Sequence, residues 1–326
     1  MDLTKLKGLN QNLNLNFHRQ PVPTRNGYGD ALAQIGKNKK IMVLCADLTD
    51  STKVTQFKEK YPKQFVEMGV AEQNLVTVAS GLAAVGKIPF ASSYAAFCPG
   101  RCWEQIRTTI CYNNQNVKII GAHAGVSVGP DGATHQMLED IAIMRALPNM
   151  IVVVPADYEQ TKSATKAIAK YKGPAYLRLA RSASEQITTT KTPFKIGKAQ
   201  VMKQGTDIVL IGAGPVVYEC LAAAKLLQEK GINAMVINCH TVKPLDKTTI
   251  LQAAKKCKKI ITVEEAQITG GLGGAISEFL SETYPTTIRK IGVQDHFGES
   301  GEPKELLHKF GFSAKHIAKQ AEKMVK

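Results

Sequence analysis

No apolar run in the chain approaches the roughly 20 residues that a bilayer-spanning helix needs; segments as apolar as Ile151 to Val154 end within a few residues. That excludes a membrane-spanning helix. The N-terminus has scattered leucines without a continuous apolar stretch or a small-residue cleavage site, so no secretory signal is expected. Cysteines are few, odd in number at seven, irregularly spaced and without a CxxC pair. This excludes a disulfide framework and points to reduced thiols and a cytoplasmic setting. Aromatic residues are only 6% and do not interleave with the lysines, which argues against a nucleic-acid partner. Acidic residues are also scarce, 27 against 42 basic ones, for a net charge of +15. That field attracts anions, phosphorylated small molecules among them, without choosing between them, and much of it reads as solvated helix faces.

What is present fits a globular protein. At 326 residues the chain predicts about two domains, and 44% hydrophobic with 21% charged residues is a globular balance. Short apolar runs alternate with helix-like segments. The runs are IMVLCA (41–46), VKIIGA (117–122), IVVVP (151–155) and AYLRLA (175–180); the helices are AEQNLVTVASGLAAVG (71–86), Glu139 to Ala146, and Asp157 to about Lys170. This alternation predicts an α/β fold with parallel strands and crossover helices. The stretch SEQITTTKTPFKIGKAQ (184–200) is poor in large apolar residues and reads as a connector. A second series follows, with DIVLIGAG (207–214), AMVIN (234–238), KIITVEE (259–265) and a last strand near Ile288. The expected division is a first domain over 1–188, a linker over 189–200 and a smaller α/β domain over 201–326.

Several segments could carry chemistry. GAGP (212–215) has Val217 where a dinucleotide turn needs its third glycine, and reads as a structural turn. GGLGG (270–274) either offers helix N–H groups to an anion or simply opens a helix beside Glu264 and Glu265. HAGVSVGPDGATHQ (123–136) is more informative, because small residues let the backbone bend around His123, Asp131 and His135. Those groups suit a polar ligand, a metal or a self-satisfied loop, although spacing of the H-E-x-x-H kind is absent. Glu72 begins a helix of mostly small and apolar residues, either as a semi-buried functional carboxylate or as a first-turn glutamate favoured by the helix dipole. Tyr94 and Phe97, in PFASSYAAFCPGR, belong to a core or line a ring-stacking pocket.

The joint order of motifs is more specific than any one of them. ADLTDS (46–51), FVEMGVAEQN (65–74), PFASSYAAF (89–97), HAGVSVGPDGATHQ (123–136), LPNMIVVVPAD (147–157), YLRLAR (176–181), VEEAQITGGLGGAISEFL (263–280) and DHFGESGEPKELLHKFGF (295–312) follow one another in the chain. Together they resemble the C-terminal half of transketolase over nearly the whole length. The resemblance implies a pyrimidine-binding domain with a parallel sheet, then the transketolase C-terminal domain, with thiamine diphosphate as cofactor. Glu72 matches the glutamate that bonds N1′ of the aminopyrimidine, and Tyr94 and Phe97 match residues flanking that ring. Tyr94 stands where phenylalanine is common. Asp47 would lie near the thiazolium part. Asp131 would read a donor hydroxyl, His135 would assist proton movement, and His123 would lie near the sugar or its phosphate. Arg25, Ser51 and Arg181 match phosphate-gripping positions, with Arg178 three residues from the last.

A further absence matters here. Thiamine-diphosphate enzymes hold Mg²⁺ and the diphosphate through a GDG motif, and no GDG occurs in this sequence. The resemblance therefore implies one subunit of a split transketolase, without metal ligands of its own. An N-terminal subunit with the GDG motif would be its partner, in a two-fold heterotetramer with self-association through the pyrimidine-binding domain. Apolar surface would be left exposed on the chain alone. The activity implied is transfer of a two-carbon ketol unit from a ketose phosphate to an aldose phosphate, as in the pentose phosphate pathway. The alternatives are the β chain of a 2-oxoacid dehydrogenase, part of a deoxyxylulose-phosphate synthase, or a non-catalytic scaffold.

Overall fold

The structure is a computed structural model and describes residues 2–326. Along the chain come Val22–Pro23 (β1), Ile41–Cys45 (β2), Phe65–Glu67 (β3), Ile88–Tyr94 (β4), Lys118–Ala122 (β5), Ile151–Val153 (β6), Ala175–Arg178 (β7) and Ala183–Ser184 (β8). Strands β2 to β7 form parallel neighbours in the order β6-β7-β5-β4-β2-β3. The short β8 returns to pair antiparallel with β1. Burial explains the continuous apolar runs: every residue of β5, β6 and β7 is buried, because crossover helices cover both faces of a parallel sheet. Even Lys118 in β5 is buried, and its ammonium donates to Asn116 Oδ1 at 2.6 Å, Tyr171 O at 2.8 Å and Gly173 O at 2.7 Å. A buried charge is tolerated only with partners of this kind.

The second half contributes Gln200–Lys203 (β9), Ile208–Ala213 (β10), Ala234–Asn238 (β11), Thr241–Lys243 (β12), Lys259–Gln267 (β13) and Thr287–Val293 (β14). Five of these make a sheet ordered β14-β13-β10-β11-β9, parallel except at β9. The alternating pattern thus gives two α/β units with parallel-rich sheets.

Two features tie the units together. Strand β12 leaves its own unit and adds antiparallel to β6, extending the first sheet to seven strands. The N-terminal leucines pack the other way: Leu3 and Leu6 are 1% and 3% exposed within the core that includes Met202, Leu221 and Leu227. Asn10 adds a backbone bond to Met202 O at 2.9 Å. Neither feature has a local signature, since three residues show no periodicity and isolated leucines show no face.

Candidate active site

Four adjacent parallel strands deliver the candidate residues to one edge of the first sheet. In the order β7, β5, β4, β2, their carboxyl ends lead to Arg181, His123, Tyr94 and Asp47, and Glu72 opens the helix after the next strand, β3. Parallel α/β sheets place ligands at this edge, where the connecting loops converge.

From there the side chains touch in series. Arg25, on the helix Thr24–Ile35, donates through Nη1 to Ser51 O at 2.9 Å and meets His123 Nε2 at 3.2 Å. The His123 ring stacks on Tyr94 with centroids 3.9 Å apart. Tyr94 lies nearly parallel to Phe97 at 6.1 Å and 21°, and His135 meets both rings edge-on at 6.1 and 5.4 Å. Arg101 lies over Phe97 at 4.9 Å and donates to Glu72 Oε2 at 3.1 Å. Glu72 is 2% exposed. One contact path therefore runs from the Arg25 guanidinium to the Glu72 carboxylate.

The remaining sequence candidates sit around this path. Arg181 donates to Val128 O at 3.1 Å, on the loop that starts at His123. Ser51 meets Arg25 through its backbone carbonyl. Asp47 and Asp131 are exposed and take no part in the path of contacts. Asp47 has φ +55, and its loop is shaped by Glu67, whose Oε1 accepts from Asp47 N at 2.7 Å and whose Oε2 accepts from Thr49 Oγ1 at 2.8 Å. GGLGG is no anion site: Glu264 accepts from Leu272 N at 2.6 Å and Gly273 N at 2.8 Å, filling the helix N-terminus with the chain's own carboxylate. Glu67 and Arg101 were not singled out by sequence, although both lie inside the segments quoted above.

Electrostatics assigns the His123 tautomer. Burial, then Arg25, Arg181, His135 and Lys53, push its pKa down to about 3, so the ring is neutral at physiological pH. An arginine N–H faces Nε2, which must accept. The proton is therefore on Nδ1, a buried atom with no partner among the described residues. Arg25 Nε is likewise buried without a partner among the described residues, and burial followed by Arg181 lowers the Arg25 pKa from its ordinary value. The Arg25 and Arg181 guanidiniums beside the neutral His123 ring form a cationic corner suited to an anion.

A stability measurement checks this assignment. His123 falls to about 3 and His240, also by burial, to about 4, both below the ordinary 6.5. The unfolded chain therefore binds more protons than the folded one below about 6.5, and stability is lost progressively as pH falls from about 6.5 until the folded rings protonate at about 4 and about 3. Calorimetry from pH 7 to pH 4 should show a shallower loss for His123→Asn than for the parent chain; equal slopes contradict the buried neutral imidazole.

Comparison with known proteins agrees with this architecture. Residues 20–186 match the family model for the transketolase pyrimidine-binding domain, and residues 197–317 match that for the transketolase C-terminal domain. A putative transketolase C-terminal section from Methanocaldococcus jannaschii is 45% identical over 91% of this chain and 94% of its own length. A 6-deoxy-6-sulfo-D-fructose transketolase subunit from a Clostridium species is 40% identical, covering 91% and 92%. The solved structure of a split-gene transketolase, an inactive beta4 tetramer, matches with a TM-score of 0.88 and 44% identity over 93% of this chain and 98% of that one. With both domains of the family matched in order along its length, the chain belongs to the transketolase family.

Proposed function

We propose that this chain is the C-terminal subunit of a two-chain transketolase, moving a two-carbon ketol unit from a ketose phosphate to an aldose phosphate. The observation that carries the reading is the unbroken contact path from Glu72 through Phe97 and Tyr94 to His123 and Arg25. It sets a buried carboxylate at one end and an anion-seeking corner at the other.

The residues suit half of a thiamine-diphosphate site. Glu72 offers a desolvated carboxylate, and Tyr94 with Phe97 offers aromatic faces for a pyrimidine. Among the described residues no group of three or more His, Cys, Asp or Glu could hold a metal ion. In this proposal the Mg²⁺ and diphosphate end falls to an N-terminal subunit with the GDG motif that this sequence lacks. When bound, thiamine diphosphate supplies the nucleophilic carbon that receives and releases the two-carbon unit. Glu72 would hold a proton at N1′ of the pyrimidine, Tyr94 and Phe97 would orient the ring, and Asp47 would serve the thiazolium side. His123 contributes a neutral Nδ1–H to the sugar, Asp131 reads a donor hydroxyl, and His135 moves a proton at the reacting oxygens. Arg25, Ser51 and Arg181 take the terminal phosphate.

Partner binding has support on the surface. Val70, Val85 and Tyr112 are 71%, 75% and 87% exposed, and Val70 and Val85 flank the helix Glu72–Ala84. Gln73, Asn74, Thr77, Gly81 and Ala84 line an exposed stripe of the same helix. A two-fold heterotetramer joined through the pyrimidine-binding domains would cover this face. The split-gene relative solved as an inactive beta4 tetramer supports self-association of this kind of subunit.

Donor choice tests the reading. The sulfo-sugar relative suggests that the terminal anion, phosphate or sulfonate, is what the arginines recognise. With the assembled enzyme, Arg25→Ala should raise the KM for a ketose phosphate by about 10–100-fold, from loss of a charge-assisted contact of roughly 1.5–3 kcal/mol, and change turnover far less. Equal KM values contradict the phosphate role. Turnover of 2-oxoacids in place of ketose phosphates contradicts the transketolase reading itself.

A further inference from the structure

The loop from His123 to His135 is held both from its own domain and from the second unit. Its base is closed by Gly125 N–H donating to Met137 O at 2.9 Å. Glu265, on β13 of the second unit and 3% exposed, accepts from Ser127 N at 2.5 Å. Gly125, at φ +90, passes so close that any Cβ there would run into this carboxylate. On the other side, Gln136 is 3% exposed and aims its Nε2 at Val126 O, Gly129 O and Glu299 O, at 3.1, 3.2 and 2.8 Å. Glu299 also belongs to the second unit, and Gly298 beside it lies where a Cβ would strike the Gln136 amide. Arg178 completes the frame, donating to Glu265 O and Asp140 Oδ2, both at 2.8 Å.

Gln136 and Glu265 are absent from the contact path between Arg25 and Glu72, yet the loop they grip supplies both site histidines. We propose that Gln136 and Glu265 are positioning residues, through which the C-terminal domain sets where His123 and His135 stand; its catalytic consequence rests on the function proposed above. One amide group, with two N–H donors, is shared among the buried carbonyls of Val126 and Gly129 and the half-buried carbonyl of Glu299. An apolar side chain of the same length removes these bonds; Gly129 O keeps the Gly132 N–H at 3.1 Å, and each carbonyl left buried and unpaired costs roughly 1–3 kcal/mol. The loop relieves that cost by opening. A shift of about 1 Å in an aligning group is enough to cost up to ~10²-fold in rate.

The test uses Gln136→Met and the pair Glu265→Met and Glu265→Gln in the full chain, with two readouts. The first is the NMR titration of His123 in the chain alone. Arg25, Arg181, His135 and Lys53 surround that ring, and burial holds its pKa at about 3; in Gln136→Met and Glu265→Met the midpoint should move up towards the ordinary 6.5, with circular dichroism and melting temperature retained. Glu265→Gln keeps an acceptor for Ser127 and should stay near the parent. The second readout is kcat/KM for the ketose donor with the N-terminal subunit present, expected to fall about 10–100-fold in the two Met variants, with cofactor affinity unchanged. Parent-like His123 titration in both Met variants overturns the proposal, as does a shifted titration with unchanged kcat/KM. If Gln136→Met does not fold, the contrast between Glu265→Met and Glu265→Gln decides by the same readouts. If the parent pair shows no ketol transfer, the functional reading fails while the titration still decides who holds the loop.

Discussion

Glu72→Ala in the assembled enzyme is expected to lower ketol transfer by roughly 10²–10⁴-fold, the usual worth of a positioned proton-transfer group. Donor KM should change little, because the carboxylate stands at the far end of the contact path from Arg25. The fold should tolerate the change. Glu72 is the first residue of its helix, and its ion-pair partner Arg101 has a side chain 51% exposed, free to turn to water once the carboxylate is gone. Glu72→Gln separates shape from proton exchange. It keeps the length and an oxygen for Arg101 but cannot take up or give a proton, so it should be as slow as alanine. Single-turnover assays with circular dichroism on each variant measure this. Activity near the parent level in Glu72→Ala contradicts the assignment of Glu72 as the proton-holding group.

Legibility in the sequence tracked how local each interaction is. Strands β5, β6, β7, β10 and β11 were readable because strands buried on both faces become short continuous apolar runs. Strand β12 was not, since its three residues gain meaning only beside β6. The same holds in the site. The motifs named Glu72, Tyr94, Phe97, His123 and His135, and the structure brings these rings and carboxylate into one path. Gln136 and Glu265 stayed hidden because their partners Glu299 and Ser127 lie 163 and 138 residues away. The neutral state of His123 was equally illegible, depending on burial and on Arg25, 98 residues distant. Chemistry-bearing residue types could be read from the chain. The residues that hold them in place could not, because holding is a tertiary relation without local pattern.

The chain alone is expected to be inactive, and the N-terminal subunit to restore activity from background to full turnover. In the proposed function, half of the cofactor site is assigned to this chain, in a buried carboxylate, two stacked rings and an anion corner. The other half needs oxygen ligands for a hard cation beside a diphosphate, and this sequence holds no GDG to provide them. The helix Glu72–Ala84 bears exposed Gln73, Asn74, Thr77, Gly81 and Ala84 right beside the carboxylate, so a docking subunit would meet Glu72 at the shared boundary. The effect should therefore be close to all-or-none. The most direct test is ketol transfer from xylulose 5-phosphate to ribose 5-phosphate with thiamine diphosphate and Mg²⁺, using this chain alone and then mixed with its GDG-bearing N-terminal subunit. Activity in the mixture only is the result predicted; activity of the chain alone, or none in a complex confirmed by size and composition, contradicts the account.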